Sequence, residues 1–352
     1  MIYGYGLDPY PPFDEGLKNF VLPLMNQLKK NFDVIIFSST PNISQQFKHE
    51  RINGIEYFLI KHSPLSSLLR IYIFLSIVLL RKIKIIHFMG LPSSLMSKLL
   101  PNKVKQLTTL YEYSATKLKP FNYKTTFVVE SNRMKNELLR KGIVCKLIYP
   151  GIELSKFRVK QYDKKTCGRG IFMSSPLPRH NNPELENKYI NKRGLSHILK
   201  ISAILNSKTP FRTTLLWRKN TNHIRKLTKN NTSIIVTEKN ITNMDQYLMN
   251  FGFCFVPTGD LAKEIPMSLV ECLAKGIPLI VSNTMPLAKL VKEHNFGIVF
   301  DNNNLELATN EIHSVINNKQ KYIKLSKNAH TFSKNYFDIK KTVNEYTKIY
   351  SK

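Results

Sequence analysis

Two glutamates, Glu264 and Glu271, stand close together in the last third of the chain. They lie in the stretch from Gly259 to Ser282, which reads GDLAKEIPMSLVECLAKGIPLIVS. Its pattern predicts a loop, then a helix closed by Gly276, and then a short apolar strand from Ile277 to Val281. The start of a helix offers backbone N–H groups that have no partner within the helix, together with the positive end of the helix dipole. It therefore suits a phosphate or a ribose.

This stretch strongly resembles the donor-sugar signature of retaining glycosyltransferases of the two-Rossmann-domain (GT-B) type, glycosyltransferase family 4 or group 1. In that family two glutamates flank a short run, and a helix of small residues, a Gly-x-Pro turn and a hydrophobic strand follow. Here Gly276-Ile277-Pro278 supplies the turn. The resemblance implies an enzyme that moves a hexose from a GDP- or UDP-linked donor to a glycan or lipid-linked acceptor. It also implies retention of the anomeric configuration, with no metal and no cofactor.

The resemblance implies a role for each glutamate. Glu271 is expected to accept hydrogen bonds from the nucleotide ribose, since a carboxylate has two acceptor oxygens for paired hydroxyls. The catalytic position near the transferred sugar falls to Glu264. The family has one residue more between its glutamates, so strict register places Lys263 there instead, and which side chain faces the sugar stays open, with Glu264 preferred. The helix start adds three backbone amides to the expected donor site: Met267, Ser268 and Leu269.

The leaving diphosphate of a nucleotide sugar needs positive charge around it. The chain has no Asp-x-Asp motif of the kind that metal-dependent single-domain transferases use. Side-chain cations and helix dipoles are therefore expected to neutralise the diphosphate. Arg193, followed by Gly194, matches a basic residue–glycine pair of the family and is the first candidate, because its planar guanidinium suits phosphate oxygens. Arg179 and Lys263 are expected to help. The plain alternative for Arg193 is a solvated cation at a helix start.

The N-terminal part supplies further candidates by the same resemblance. Gly16 matches the second glycine of a family loop that comes close to the donor, while Glu15 replaces the first. The alternative is that Gly16 only permits a tight turn. Tyr111 and Glu112 follow a predicted strand where the family often has a histidine and then an acidic residue, so they are expected on the acceptor side although the histidine is missing. His87, on an apolar strand, is expected to be a core histidine.

Strands alternate with helices along the whole chain of 352 residues, which predicts an α/β protein with two domains. The resemblance specifies two Rossmann-like domains facing across a cleft, with a C-terminal helix that crosses back to the first domain. The expected boundaries are 1–159 for an acceptor-side domain, 160–327 for a nucleotide-sugar-binding domain and 328–352 for the returning helix. The sequence IYPGIELSKFRV, residues 148–159, resembles the family's linker between the two domains.

The formal net charge of +29 is the most unusual global property. An anionic membrane surface or a nucleic acid would explain it, and so would a lysine-rich composition that only solvates the surface. The apolar run Leu65–Leu80 leaves three alternatives: a helix buried against the sheet, a helix lying on a membrane beside Arg81, Lys82 and Lys84, or a membrane span. The first is preferred and the last is the weakest, since the run is short and contains Arg70.

Two other function classes stay open beside a nucleotide-sugar enzyme. A basic nucleic-acid-binding protein agrees with the charge, but no zinc-finger spacing or aromatic RNA-binding motif supports it. A catalytically silent relative that acts as a partner subunit agrees with the departures from the family pattern. The four scattered cysteines fit a reducing compartment, and the opening residues MIYGYGLDPYPP do not resemble a signal peptide. We therefore expect a cytoplasmic protein, with peripheral contact at the inner face of a membrane as an open extension.

Overall fold

The chain forms two α/β units, which agrees with the predicted fold class. A computed structural model describes all residues except 12–15, 64–66, 111–123, 175–182, 218–220, 258–264 and 352, and except the side chains of Ser67 and Pro183. The first unit combines Met1–Ile152 with Ile339–Lys352, and the second is Glu153–Asp338. Each unit is built on its own largely parallel sheet.

The first unit is organised around an eight-stranded sheet with the order β3-β4-β2-β1-β5-β6-β7-β8. All neighbouring strands are parallel except the antiparallel pair β3–β4. The strands are β1 Ile2–Tyr5, β2 Ile35–Thr40, β3 Phe47–Ile52, β4 Ile55–Lys61, β5 Ile85–Met89, β6 Lys105–Leu110, β7 Thr125–Val129 and β8 Cys145–Leu147. The order reverses between β1 and β5, as in doubly wound nucleotide-binding folds.

Within the described part of the first unit, four helices connect these strands: α1 Gly16–Leu28, α2 Ser67–Leu80, α3 Ser94–Lys98 and α4 Asn132–Arg140. One side of α2 packs in a core cluster through Phe74, Ile77 and Val78, and α3 adds Met96 to the same cluster. The preferred expectation for residues 65–80, a helix packed on the sheet, is thus correct for one side of α2. Among the helices that the structure describes, none has the length and apolar character needed to cross a bilayer.

The second unit has a six-stranded, fully parallel sheet with the order β11-β10-β9-β12-β13-β14. Its strands are β9 Arg169–Ser174, β10 Arg212–Trp217, β11 Ile234–Thr237, β12 Phe253–Val256, β13 Leu279–Ser282 and β14 Gly297–Phe300. Numbered within the unit, this order is 3-2-1-4-5-6, which is the arrangement of Rossmann folds.

Nine helices of the second unit lie among the described residues: α5 Lys164–Cys167, α6 Pro183–Lys192, α7 Leu195–Lys208, α8 Asn222–Thr228, α9 Met244–Leu248, α10 Met267–Ala274, α11 Leu287–His294, α12 Leu305–Asn317 and α13 Lys319–Tyr336. The buried faces of α7 and α12 share one large core cluster with β9 and β10. Helix α10 packs beside α13, where Gly276 lies close to Ser326.

The last helix, α14 Ile339–Tyr350, belongs to the first unit. Its Ile339 N–H donates to the Ile152 carbonyl, and Thr342 Oγ1 donates to the Tyr149 carbonyl at 3.0 Å. The chain passes between units at 152/153 and 338/339, whereas the sequence led us to expect 159/160 and 327/328. The second difference has a physical reason: α13 packs with α10 inside the second unit, so only α14 returns to the first.

His87 is a buried structural residue of the first unit, as predicted. Its Nδ1 lies 2.7 Å from the Tyr350 hydroxyl and its Nε2 lies 2.7 Å from Thr109 Oγ1, so both ring nitrogens are hydrogen-bonded. Burial lowers the pKa of His87 to about 3, with a smaller effect from the positive N-terminus. The imidazole is therefore neutral at ordinary pH and ties β5 and β6 to α14.

Candidate functional site

The topology of the second unit defines where a ligand can approach its sheet. Strands β9 and β12 are hydrogen-bonded neighbours and run parallel, with Cys254 paired to Ile171. After β9 the chain continues to β10 on one side of the pair, and after β12 it continues to β13 on the other. In sheets of this order, the usual ligand position lies outside the carboxyl ends of such a strand pair, here β9 and β12.

Arg193 lies beside this edge, between α6 and α7. Its Nη1 donates a hydrogen bond to Ser174 Oγ at the end of β9, and its guanidinium lies 5.6 Å from the ring centre of Trp217 at the end of β10. Ser174 and Trp217 are paired neighbours in the sheet. Burial lowers the pKa of the guanidinium from its usual value, yet the group stays charged at neutral pH. Arg193 is therefore a half-buried cation that contacts Ser174 and Trp217. It is not the solvated cation at a helix start that was the alternative expectation.

The glycine after Arg193 explains how the backbone places this arginine beside the ends of β9 and β10. Gly194 has a φ of +73°, a left-handed conformation that favours glycine, and it joins α6 to α7. The Arg193 N–H donates to the carbonyls of Tyr189 and Ile190, so the arginine backbone still belongs to the last turn of α6. The basic residue–glycine pair thus acts as a joint that turns the arginine toward the strand ends.

Two buried ring atoms in this region lack a hydrogen-bond partner among the described residues. They are Nε1 of Trp217 and Nδ1 of His197, which lies in the first turn of α7. Burial, with a smaller effect from Lys200, lowers the pKa of His197, which favours the neutral ring. Unsatisfied polar atoms in a protein interior are uncommon. Sequence analysis did not single out either residue, because neither belongs to a local pattern.

Helix α10 is the first described helix after β12, and it begins at Met267 after Pro266. Pro266 has no side chain that could accept a hydrogen bond from the first turn. As at other helix starts, the first N–H groups of α10 have no partner four residues earlier within the helix and can donate to a ligand. The Leu269 N–H, however, donates to the Pro266 carbonyl at 3.0 Å. The side chains of Met267 and Leu269 are buried in the core. The expected set of three amides is therefore corrected to Met267 and Ser268.

Glu271 lies on the same helix, one turn after Met267 and Ser268. Its side chain is half-buried, in contrast to the buried residues on either side of it, Val270 and Cys272. The helix then ends in a Schellman arrangement: the Gly276 N–H donates to Leu273, and the Ile277 N–H donates to the Cys272 carbonyl. This closure fixes the direction of α10 relative to β13, so the carboxylate is held by a rigid element.

An ion pair between buried Lys275 and partly buried Asp245 anchors the C-terminal end of α10. The sequence did not predict it. Lys275 is fully buried, and its ammonium contacts Asp245 on α9. The carboxylate of Asp245 also accepts the Arg158 N–H at 2.9 Å. The Lys275 carbonyl in turn accepts the N–H of Lys160 at 2.9 Å. A buried pair of this kind is costly to break and restricts how the helix can shift.

The corresponding edge of the first unit holds Gly16 and a second buried ion pair. Gly16 is the first residue of α1 and is exposed. Two residues further on, buried Lys18 donates to Asp8 Oδ1 at 2.9 Å. The Asp8 carboxylate also accepts from Thr40 Oγ1 at 2.6 Å and from Asn42 Nδ2 at 3.2 Å. This network fixes the start of α1. The predicted position of Gly16 near the donor stays a prediction.

Five predicted site residues lie outside the described residues: Arg179, Lys263, Glu264, Tyr111 and Glu112. Their assigned roles stay predictions. Within the described ranges, no group of three or more His, Cys, Asp or Glu residues is placed to hold a metal ion. All four cysteines are free and buried.

A cavity of about 670 Å³ lies in the first unit, at the amino-terminal edge of its sheet. Met25, Leu28 and Ile83 contribute to its apolar lining, while Arg51 and Lys84 contribute positive charge. None of the predicted site residues that the structure describes lines it. It is therefore distinct from the donor site proposed for the second unit.

Comparison with known proteins finds a family match within the second unit. Residues 218–332 match the family described as "Glycosyl transferases group 1". The match includes α10 and its Gly-x-Pro turn, and it confirms the resemblance of residues 259–282 to group 1 glycosyltransferases. A Haemophilus influenzae protein named "Uncharacterized glycosyltransferase" is 24% identical over 198 residues, which are 48% of this chain and 51% of that protein. The chain thus matches about half the length of this relative.

Solved structures agree in fold along nearly the whole chain. Sucrose-phosphate synthase from Thermosynechococcus elongatus has a TM-score of 0.74 at 14% identity, covering 99% of this chain and 97% of that one. Anabaena Alr3699/HepE, solved in complex with UDP-glucose, has a TM-score of 0.70 at 12% identity and covers 99% of both chains. The fold is therefore that of GT-B glycosyltransferases, and residues 218–332 within it are similar to the group 1 glycosyltransferase family.

Proposed function

We propose that the protein is a glycosyltransferase that moves a hexose from a nucleotide-sugar donor to a glycan or lipid-linked acceptor. The observation that carries the proposal is the held cation of Arg193 at the ends of β9 and β10. Helix α10 with Glu271 follows β12, the strand paired with β9, and supplies the second group of the proposed site. A diphosphate suits the first group and the helix start, and a ribose suits the carboxylate.

The donor carries UDP or GDP. UDP-glucose is the first donor to test, because a protein of the same fold has been solved with it. Glu271 accepts hydrogen bonds from the ribose hydroxyls, and the amides of Met267 and Ser268 face the phosphates or the sugar. Glu264 is the proposed residue nearest the sugar, with Lys263 as the alternative in strict register.

The chemistry requires that the bond between the sugar C1 and the diphosphate oxygen breaks while a bond from C1 to an acceptor oxygen forms. The diphosphate leaves with the bonding electrons, and the proton of the acceptor hydroxyl passes to the leaving phosphate oxygen. The protein lowers the barrier by stabilising the negative charge that grows on the leaving group. Arg193 and the start of α10 supply that stabilisation, and the transfer retains the anomeric configuration without a metal or another cofactor.

The acceptor is proposed to lie on the side of the first unit, with Tyr111 and Glu112 as its contacts and Gly16 near the donor. The net charge of +29 favours an acceptor at an anionic surface. A lipid-linked glycan at the inner face of a membrane combines both properties, and the protein would reach it by peripheral contact.

Calorimetric titration with a panel of UDP- and GDP-sugars tests the proposal. One donor should bind saturably, and Glu271→Gln should weaken it by roughly 10- to 100-fold, because a hydrogen bond to a charged group contributes about 1.5–3 kcal/mol. Glu293→Gln, on the exposed face of α11, is the matched control and should bind like the wild type. Absence of binding by every donor contradicts the proposal, and salt-steep DNA binding in its place would favour the nucleic-acid alternative. Saturable donor binding without turnover on any acceptor would favour a silent partner subunit.

A further inference from the structure

Helix α2 shows an apolar face to solvent, although its opposite side is packed in the core. Five large side chains are exposed: Leu68 by 75%, Leu69 by 49%, Tyr72 by 70%, Leu79 by 62% and Leu80 by 81%. A surface helix of a globular protein normally carries charged or polar residues on its outer face. An exposed apolar patch rimmed by polar groups generally marks a contact with a partner or a membrane.

The five residues form one continuous stripe. At the helical spacing of about 100° per residue, Leu68, Tyr72 and Leu79 fall within one narrow line, and Leu69 and Leu80 lie beside them. Ser76 is the one polar residue on that arc of the helix. On the other side, Phe74, Ile77 and Val78 fill the core cluster. The helix is therefore apolar almost all round, yet only half of it is covered within its unit.

Basic residues follow the stripe directly. Arg81, Lys82 and Lys84 are exposed at the end of α2. Glu56 is the acidic group among them, and it already pairs with Arg81 and with His49. Lys82 takes a left-handed conformation with a φ of +47°, a position where glycine is usual. A lysine at a backbone position that favours glycine agrees with a role for its positive charge in binding.

Length and charge select one occupant for this surface. The helix has 14 residues and is roughly 21 Å long, shorter than the roughly 30 Å of a bilayer core, so it lies on a membrane rather than crossing it. A second copy of the chain would bring together two molecules of net charge +29, which repel each other. An anionic lipid surface attracts the same charge and accepts the apolar stripe.

We infer that α2 docks on an anionic phospholipid bilayer, with its apolar stripe among the acyl chains and Lys82 and Lys84 at the lipid phosphates. This specifies the surface for the peripheral contact proposed above. It does not require sugar transfer: vesicle binding needs no nucleotide sugar, so failure of one can be distinguished from failure of the other.

Flotation with vesicles tests the docking surface. The full chain should bind phosphatidylcholine vesicles containing phosphatidylglycerol at least tenfold more tightly than vesicles of phosphatidylcholine alone, and added salt should weaken that binding. The triple variant Leu68→Ser, Tyr72→Ser, Leu79→Ser should lose most of it. Its matched control replaces Leu185, Leu227 and Leu307 by serine, which are exposed on helices of the second unit. Equal loss in both triple variants, or no loss in the first, overturns the inference.

Charge is tested separately by the pair Lys82→Gln and Lys84→Gln. We expect it to reduce binding to anionic vesicles several-fold, whereas Lys226→Gln with Lys229→Gln on the surface of the second unit should reduce it less. Sedimentation of the lipid-free protein tests whether a second copy of the chain covers the apolar stripe instead. A dimer that becomes a monomer in the α2 triple variant would overturn the inference in favour of self-association.

A labelling experiment keeps the inference testable if the triple variant does not fold. All four native cysteines are buried, so Leu80→Cys gives a selectively reactive thiol for an environment-sensitive fluorophore. Anionic vesicles should shift its emission to the blue, while the same label at Leu307→Cys should not change. An unchanged spectrum at position 80 in the presence of bound vesicles rejects α2 as the docking element.

Discussion

Arg193 connects three contacts that only an arginine can make together. Its planar guanidinium donates to Ser174 and lies over the ring of Trp217, and the same planar shape suits phosphate oxygens. Its half-buried position strengthens electrostatic interactions, since water screens them less there. The site therefore depends on the shape of the guanidinium as well as on its charge.

Arg193→Lys is expected to weaken donor binding by about tenfold or more, because lysine keeps the charge but loses the bidentate fork and the stacking contact. Calorimetry with the donor that binds the wild type measures the change. Arg212→Lys, at the amino-terminal end of β10 and exposed, is the control. Equal affinities for wild type and Arg193→Lys would remove Arg193 from the donor site.

His87 predicts a pH effect on stability. The folded protein holds this imidazole neutral down to about pH 3, while in the unfolded chain it takes up a proton below its ordinary pKa of 6.5. The unfolded state therefore binds more protons in this range, and the free energy of unfolding falls as the pH falls below about 6.5. For His87 alone, the loss by pH 5 is about 2 kcal/mol.

His87→Gln should remove this part of the pH dependence, because glutamine does not titrate. Urea unfolding at pH 7 and at pH 5 measures the free energy of both proteins. The wild type should lose about 2 kcal/mol more than the variant between the two pH values. Parallel losses in the two proteins would mean that His87 is protonated in the folded state.

Sequence reasoning at the residue scale singled out Arg193 and Glu271 because each stands in a local pattern, next to a glycine or a Gly-x-Pro turn, and their roles stay predictions. It missed Asp8 and Lys275, whose partners Thr40 and Asp245 are about thirty residues away in the chain. Such contacts depend on the completed fold, so no spacing rule shows them. It also assigned the Leu269 amide to the ligand, although the first turn uses it internally.

At the scale of elements, the turn after α10 decides how well Glu271 is held. Gly276 has a φ of +74°, and a Cβ there would lie 2.8 Å from Ser326 Oγ and 3.1 Å from the Ser326 carbonyl oxygen. Both the backbone conformation and the close approach of α13 therefore require glycine. The same glycine that marked the pattern in the sequence is the contact point between two helices.

Gly276→Ala should destabilise the protein by about 2 kcal/mol or more, the sum of a left-handed alanine and a close contact with α13. Gly142→Ala is the matched control: Gly142 also has a positive φ, +71°, but a Cβ there meets nothing within 4 Å. It should cost about 1 kcal/mol. Urea unfolding compares them, and a larger loss at Gly142 would contradict the assignment of close packing at Gly276.

The elements themselves were only partly predictable. The apolar strand predicted at Ile277–Val281 corresponds to β13, because buried parallel strands read as short hydrophobic runs. The exposed strand β3 was missed, although Asn53-Gly54 with φ values of +51° and +78° is a typical hairpin turn. Its side chains are charged and half-exposed, so hydrophobic pattern gave no signal. The five-residue helix α3 was missed because it is too short for periodicity to be visible.

For the whole molecule, the fold indicates where the site lies, and the net charge indicates which surfaces the protein can approach. The Rossmann order of the second sheet follows from strand pairing and positions the site, whereas the charge of +29 concerns the surroundings in which the protein works. The apolar stripe on α2 and the basic residues after it relate the charge to a defined surface. The comparison with known structures, in turn, establishes the fold along the chain but leaves donor and acceptor to experiment.

The most direct test of the central claim is detection of the transferred sugar. Purified protein is incubated with each UDP- and GDP-hexose and with lipid-linked or free glycan acceptors, and products are identified by mass spectrometry. The account predicts an acceptor heavier by one hexose with one class of donor, formed without added metal and strongly reduced in Glu271→Gln but not in Glu293→Gln. Full product formation by Glu271→Gln, or no product and no donor binding with any nucleotide sugar, would contradict it.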